Sequence, residues 1–371
     1  MKFALAVPLF TLLLASALAQ ELRPSDAKNL IVYQEQGRFA GWPANHGIWS
    51  WGDEILVGFE RGYFRDNDSG HDIDYSRPAE HVLARSLDGG QTWSIEQPPG
   101  LQPPPNTKVA NVLTGPDGPP LRDCAGGYDF SNADFIMTFR MESHQNGPSH
   151  YYFSSDRGKS WDGPCNLGDF GQPGIMARTD YLVNGPEDMT VFLTAAKRNG
   201  REGRVIVVRT RDAGRNWNFQ SYMGPEPLDY SIMPSSVRLS AASIVTAVRR
   251  RNWIDVYRSN DNGDSWSLLN QAATDIGGNP PSMVQMPDGR LLMTYGYRKE
   301  PYGIHARVSE NEGLTWSEPI LLREDGGGSD LGYTRTVVRP DGRLVTVYYY
   351  NTDAARERFI AATIWDLGSV R

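Results

Sequence analysis

From Ser282 to Tyr295 the chain reads as an apolar run, a Pro287-Asp288-Gly289 turn and a second apolar run. The same pattern returns 53 residues later, from Arg335 to Tyr348, around Pro340-Asp341-Gly342, and a looser version runs from Ser235 to Val248. Proline presets φ for such a turn and glycine accepts positive φ, so each stretch predicts a β-hairpin. A second pattern follows the hairpins. Ser86-Leu87-Asp88-Gly89-Gly90-Gln91-Thr92-Trp93 recurs in kind from Ser154 to Trp161, Thr210 to Trp217, Ser259 to Trp266 and Ser309 to Trp316. The last three copies start 49 and 50 residues apart, a period typical of propellers and solenoids. Each unit therefore reads as hairpin, third strand, eight-residue box, fourth strand. Five units end in a box. The sixth starts at Arg335 and stops after a third strand at Phe359–Trp365; its outer strand could come from Leu30–Tyr33 near the other end of the chain. That closure would hide the sheet edges. The prediction is an all-β, six-bladed β-propeller of four-stranded antiparallel blades, with an insertion in blade 2 between residues 100 and 127. Within each box the aspartate can hold turn amides, the glycine takes the positive φ and the tryptophan plugs between strands. The boxes are thus expected to staple the fold rather than to carry chemistry.

Other features bound the function. Lys2, an apolar run over 3–14 and Ala17-Leu18-Ala19 read as a signal peptide over 1–19, leaving 20–371 as one domain. The run is too short to span a membrane, so a secreted or periplasmic protein without a membrane span is expected. An oxidising compartment permits a Cys124–Cys165 disulfide, whose geometry a sequence does not give. No Cys/His cluster has metal-ligand spacing, and no cofactor is called for. A formal net charge of −7 argues against nucleic acid as a partner. Thirty-eight glycines and 25 prolines suit many turns and short strands.

The boxes resemble the Asp-box (BNR) repeats of the sialidase, or neuraminidase, superfamily, over essentially the whole of 20–371. Apolar runs taken as innermost strands end in Glu60-Arg61, Arg140, Lys197, Arg249 and Arg298. Such cations on a net-acidic protein suggest an anionic ligand, and arginine forks bind carboxylates bidentately. The resemblance implies the same, because sialidases hold their substrate's carboxylate with three arginines. Arg249, Arg298 and Arg335 are the first candidates here, with Arg61 and Arg140 in reserve. It also implies a tyrosine nucleophile, matched by Tyr333 in Leu331-Gly332-Tyr333-Thr334-Arg335. An acid is expected from a blade 1 loop, which carries His71, Asp72 and Asp74.

Two positions depart from the family pattern. Trp42 stands where its first arginine is expected, and Met233 where a glutamate should polarise the tyrosine. Glu60 or Glu226 could substitute for the latter in space. Trp42 can stack on a sugar, His46 can serve as acid or base near neutral pH, and Arg178 with Asp180 can reach the same cavity. The expected activity is release of a terminal acidic sugar, sialic acid or a relative, from a glycan with retention. The alternatives are a hydrolase or lyase on a uronate-bearing glycan, with His46 or Tyr333 abstracting the proton in the lyase case, and a non-catalytic glycan-binding propeller.

Overall fold

The computed structural model describes residues 21–371; the expected signal peptide lies outside them. Six antiparallel sheets form a six-bladed propeller. Blade 4 shows the simplest plan: Ile232–Arg238, Ile244–Arg249, Trp253–Ser259 and Ser267–Thr274, in that order outward. Blade 5 repeats it from Ser282–Gln285 to Ile320–Arg323. In blade 6, Gly332–Val338, Leu344–Thr352 and Ala355–Trp365 are joined by Lys28–Tyr33 as the outermost strand, with Leu30 opposite Ala362. Arg23 and Arg371 exchange backbone hydrogen bonds alongside it, so the two ends of the described chain close the ring.

Three blades depart from the plan. Blade 2 has three paired strands, Ile136–Met141, Ser149–Ser154 and Asp162–Leu167, rather than the four expected. The insertion before it forms a small hairpin, Lys108–Val109 with Val112–Leu113, and is tied to the outer strand by a Cys124–Cys165 disulfide. In blades 1 and 3 the inner strand is broken. Arg38–Gly41 and Ile48–Trp51 both pair with Glu54–Tyr63, and one turn of helix, Pro43–His46, lies between them. Ile175–Met176 and Tyr181–Gly185 likewise both pair with Asp188–Ala196. The breaks free backbone carbonyls at the axis. Arg335 crosses it to donate to the Ala44 and Thr179 carbonyls.

The long apolar runs taken from the sequence as innermost strands are in fact second from the axis. Ile55–Phe59, Val245–Val248 and Leu292–Tyr295 lie in strands flanked on both sides. Those strands are sandwiched by neighbouring blades, which is why they are continuously apolar. The true inner strands carry hydroxyls instead. Ser235 accepts from Met283 N of the next blade at 2.9 Å and Ser282 from Thr336 N at 3.0 Å, while Thr194, on the second strand of blade 3, accepts from Met233 N at 3.2 Å. These bonds satisfy amides on an edge that no further strand covers.

The boxes act as staples. In each, the first Ser or Thr hydroxyl accepts from the amide of the fifth residue, a glycine at φ between 76° and 93°, at 2.7–2.9 Å. The Asp, or Asn311 in the last copy, accepts from the amide of the seventh residue at 2.9 Å. Among the described residues no helix is long and apolar enough to cross a membrane.

Candidate functional site

Three non-glycine residues at the starts of inner segments share a left-handed backbone: Trp42 (φ 61°), Met233 (φ 53°) and Tyr333 (φ 51°), in blades 1, 4 and 6. Trp42 and Met233 each precede a proline, which further disfavours helical dihedrals. Backbone of this kind costs energy and survives where the surroundings hold it. Around Tyr333 those surroundings are explicit. Asn279 Oδ1 accepts from Tyr333 N at 2.9 Å, and Asn279 Nδ2 donates to Leu331 O at 2.9 Å. Gly332 (φ 102°) permits this, since a β-carbon there would lie 2.5 Å from the Asn279 amide.

The Tyr333 hydroxyl accepts from Arg249 Nη1 at 3.0 Å. The Arg249 and Arg298 guanidinium carbons lie 5.6 and 5.4 Å from the centre of its ring, within cation–π range. Arg298 also donates to Tyr349 Oη at 2.7 Å and to Leu331 O at 3.1 Å. Met233, at the position where the sequence pattern calls for a glutamate, sets its sulfur 3.5 Å from Arg249 Nη1. His71 brings its ring edge-on to Trp42 and Tyr333, at centroid distances of 5.0 and 5.9 Å.

Behind Tyr333 lies a buried carboxylate that sequence reasoning missed. Asp330 Oδ1 accepts from His71 Nδ1 and from the Tyr349 hydroxyl, each at 2.6 Å. Its Oδ2 accepts from Asp72 N and Arg358 Nε, each at 3.1 Å. Burial alone would raise its pKa; the His71 ring, Arg358 and Arg298 outweigh that and hold it well below the usual carboxylate range. Burial, reinforced by Asp330 against the pull of Arg298, keeps the Tyr349 phenol protonated far above its ordinary value. Tyr349 and Arg358 were missed as well. Tyr349 occupies the strand-end position where other blades carry a cation, and Asp330 sits three residues before Tyr333; those were the available signals.

The other expected site residues are scattered. Asp72 meets the Arg358 guanidinium and accepts from Asn67 N at 3.0 Å, so it adjoins the Asp330 network. Asp74 is a turn carboxylate held by the Ser76 hydroxyl at 2.6 Å and amide at 3.0 Å. Arg61 turns outward to Glu80 and Gln97. Lys197 Nζ clasps the Leu228 and Asp229 carbonyls. Arg178 pairs with Glu202 at 2.7 Å beside Met233, Arg335 and Asp180. Arg335 spends its donors on the two axial carbonyls and does not join Arg249 and Arg298. The expected third arginine is therefore absent from the cluster, because the broken inner strands present carbonyls that a buried guanidinium must satisfy.

His46, Glu60 and Arg140 form a second, separate cluster on the far side of Trp42, with His81 and His150. All five are essentially inaccessible. His46 Nε2 lies 3.4 Å from Glu60 Oε2. Burial, then Arg140, His81 and Arg335, lower His46 well below its ordinary pKa, so it is neutral. Burial pushes the Glu60 carboxyl up to about 8 against the pull of Arg140. Neither residue touches Tyr333, so Glu60 does not replace the missing glutamate there and His46 is not within reach of the same substrate.

Residues 135–346 match the family model described as a BNR repeat-like domain. Among curated proteins none matches the chain. Among solved structures, a protein of unknown function from Dyadobacter fermentans is similar with a TM-score of 0.72 at 20% identity, over 94% of this chain and 99% of that one. The NanB sialidase of Streptococcus pneumoniae gives 0.62 at 11% identity, over 92% and 71%. An α-L-arabinanase of Penicillium chrysogenum gives 0.54 at 13%, over 92% and 99%. At such identities the likeness is one of fold.

Proposed function

Since the chain belongs to the BNR repeat-like domain family, we propose that it is a glycoside hydrolase that releases a terminal acidic sugar, sialic acid or a relative, from a glycan. One observation carries this reading: the Tyr333 hydroxyl sits under Arg249, with Arg298 over the same ring. A carboxylate bound between the two guanidiniums would present the neighbouring anomeric carbon to the phenol oxygen. Tyr333 Oη then attacks and retains configuration through a glycosyl-enzyme intermediate. With Met233 in the glutamate's position, Arg249 takes over stabilising charge on Oη. Trp42 does not stack on a sugar, as its position in the sequence suggested, because it is buried against Phe39 and His71. The similar folds of the NanB sialidase and the arabinanase, both carbohydrate-directed, support a glycan as substrate.

A second reading concerns the sugar. Only two arginines reach Tyr333, and an indole stands in the place of the third. A hexuronate carries its carboxylate on C5, across the ring oxygen from the anomeric carbon, so it would meet the two-arginine clamp with its ring turned relative to a sialic acid, whose carboxylate is on the anomeric carbon itself. Calorimetric titration with N-acetylneuraminic acid, glucuronic acid and galactose tests the reading. Binding of one acid and not of galactose, weakened in Arg249→Ala, is expected. Equal binding of all three, or of none, would sink it.

A further inference from the structure

We infer that His71, oriented by Asp330, is the proton donor and acceptor of this site, an assignment that rests on the hydrolase reading above. The two carboxylates expected from the same loop are already committed. Asp72 is bound by Arg358 and Asn67 N, and Asp74 by Ser76. His71 is different. Its Nδ1 faces Asp330 Oδ1 at 2.6 Å. The Trp42 indole N–H and the Tyr349 hydroxyl also approach Nδ1, at 3.3 and 3.4 Å, but the much shorter contact is to Asp330, a carboxylate that only accepts, so Nδ1 carries the proton. That fixes the ring and leaves Nε2 for another partner, the arrangement in which a buried carboxylate orients a histidine acid or base. Among the described residues Nε2 makes no hydrogen bond, and the side chain keeps 18% of its exposure. Groups packed against the ring are Trp42, Tyr333 and Tyr349; Arg298 and Arg358 reach it through Asp330.

The position suits proton transfer to a leaving group. An acid must stand between the sugar that reacts and the group that departs. On one side of the His71–Asp330 pair is Tyr333. On the other, Asp330 lines a polar cavity of about 400 Å³ together with Gly70 and Asp72, the chain neighbours of His71, and with Gly328, Asn351 and Arg358; the His71 ring itself is not on its wall. Its donors and acceptors match a hydroxyl-rich leaving sugar. In the first step the Tyr333 phenolate, whose proton has passed to water, bonds the anomeric carbon. The bond from that carbon to the leaving oxygen breaks, and the oxygen takes the Nε2 proton of His71. In the second step water bonds the same carbon, its proton goes to Nε2, and the phenolate leaves.

The test compares wild type with His71→Gln on two glycosides of one acidic sugar, linked either to galactose or to 4-nitrophenol. A phenol of low pKa departs without a proton, whereas a sugar alcohol does not. His71→Gln is expected to lose about 10²–10⁴-fold in kcat/KM on the galactoside-linked substrate and about tenfold or less on the nitrophenyl one. Asp330→Asn should follow with a smaller loss of the same selectivity. Equal losses on both substrates, or none, overturn the assignment while leaving the hydrolase reading intact. No turnover of either substrate by folded wild type overturns both. If the variants do not fold, wild type alone decides across a series of aryl leaving groups. A shallow dependence of kcat/KM on leaving-group acidity is expected, and a steep one contradicts an acid at this position.

Discussion

At the scale of single residues, the candidate site is a set of costly arrangements packed close together: a left-handed tyrosine, two guanidiniums on its ring, and a buried carboxylate with four donors. The costs make sense if a ligand's charge completes them. Arg249→Ala should therefore lower kcat by about 10²–10³-fold, the loss of one donor on the developing oxyanion, as well as raise KM for the acidic-sugar substrate. Steady-state kinetics at matched folding checks this. Glu60 gives a prediction about stability instead. Burial pushes its carboxyl up to about 8, from an ordinary value of 4.5, against the pull of Arg140. Between those values the folded state holds a proton that the unfolded state has lost, so stability falls as pH rises across the window. Glu60→Gln mimics the protonated form. It should leave stability near pH 5 almost unchanged and flatten the decline toward pH 8, as read by denaturant midpoints at each pH.

At the scale of elements, the repeated box and the hairpins were legible because their chemistry is local. Turn glycines, hydroxyls and aspartates satisfy each other within eight residues, so the pattern is printed in consecutive positions. Thr210 shows the energetic consequence: its buried Oγ1 accepts from Gly214 N at 2.9 Å. Thr210→Val keeps the shape and orphans that amide, which should cost about 1–3 kcal/mol in chemical denaturation. The inner strands were less legible. They are short, broken in blades 1 and 3, and held by hydroxyls from the preceding blade, so their pattern lies in contacts between units. The apolar runs one strand further out were mistaken for them. That error had a consequence for the site. Cations at the ends of second strands fan in several directions, inward at Arg249 and Arg298, outward at Arg61 and into the buried cluster at Arg140. Tyr333, by contrast, was found through a motif beside an inner strand, whereas Asp330 and Tyr349 carry roles that appear only when blade 6 meets the blade 1 loop.

At the scale of the whole molecule, the ring closes by non-local pairing. Lys28–Tyr33 covers the last strand of blade 6, and the Cys124–Cys165 disulfide ties the blade 2 insertion to its outer strand, 41 residues apart. Replacing both cysteines by alanine should cost about 3–4 kcal/mol by the loop-entropy model, visible as a lower thermal midpoint. The site should keep its geometry, since Tyr333 and Arg249 lie in blades 6 and 4. The propeller thus brings a tyrosine, two arginines and a histidine–carboxylate pair from blades 1, 4, 5 and 6 to one end of its axis. Whether that assembly is an acidic-sugar hydrolase is best decided by free acidic sugar released from an α-linked sialoside and from a uronate glycoside, by wild type beside Tyr333→Phe. The account predicts release from one of the two, reduced at least about 10³-fold in the variant. No release by well-folded wild type, or release that the variant retains, would contradict it.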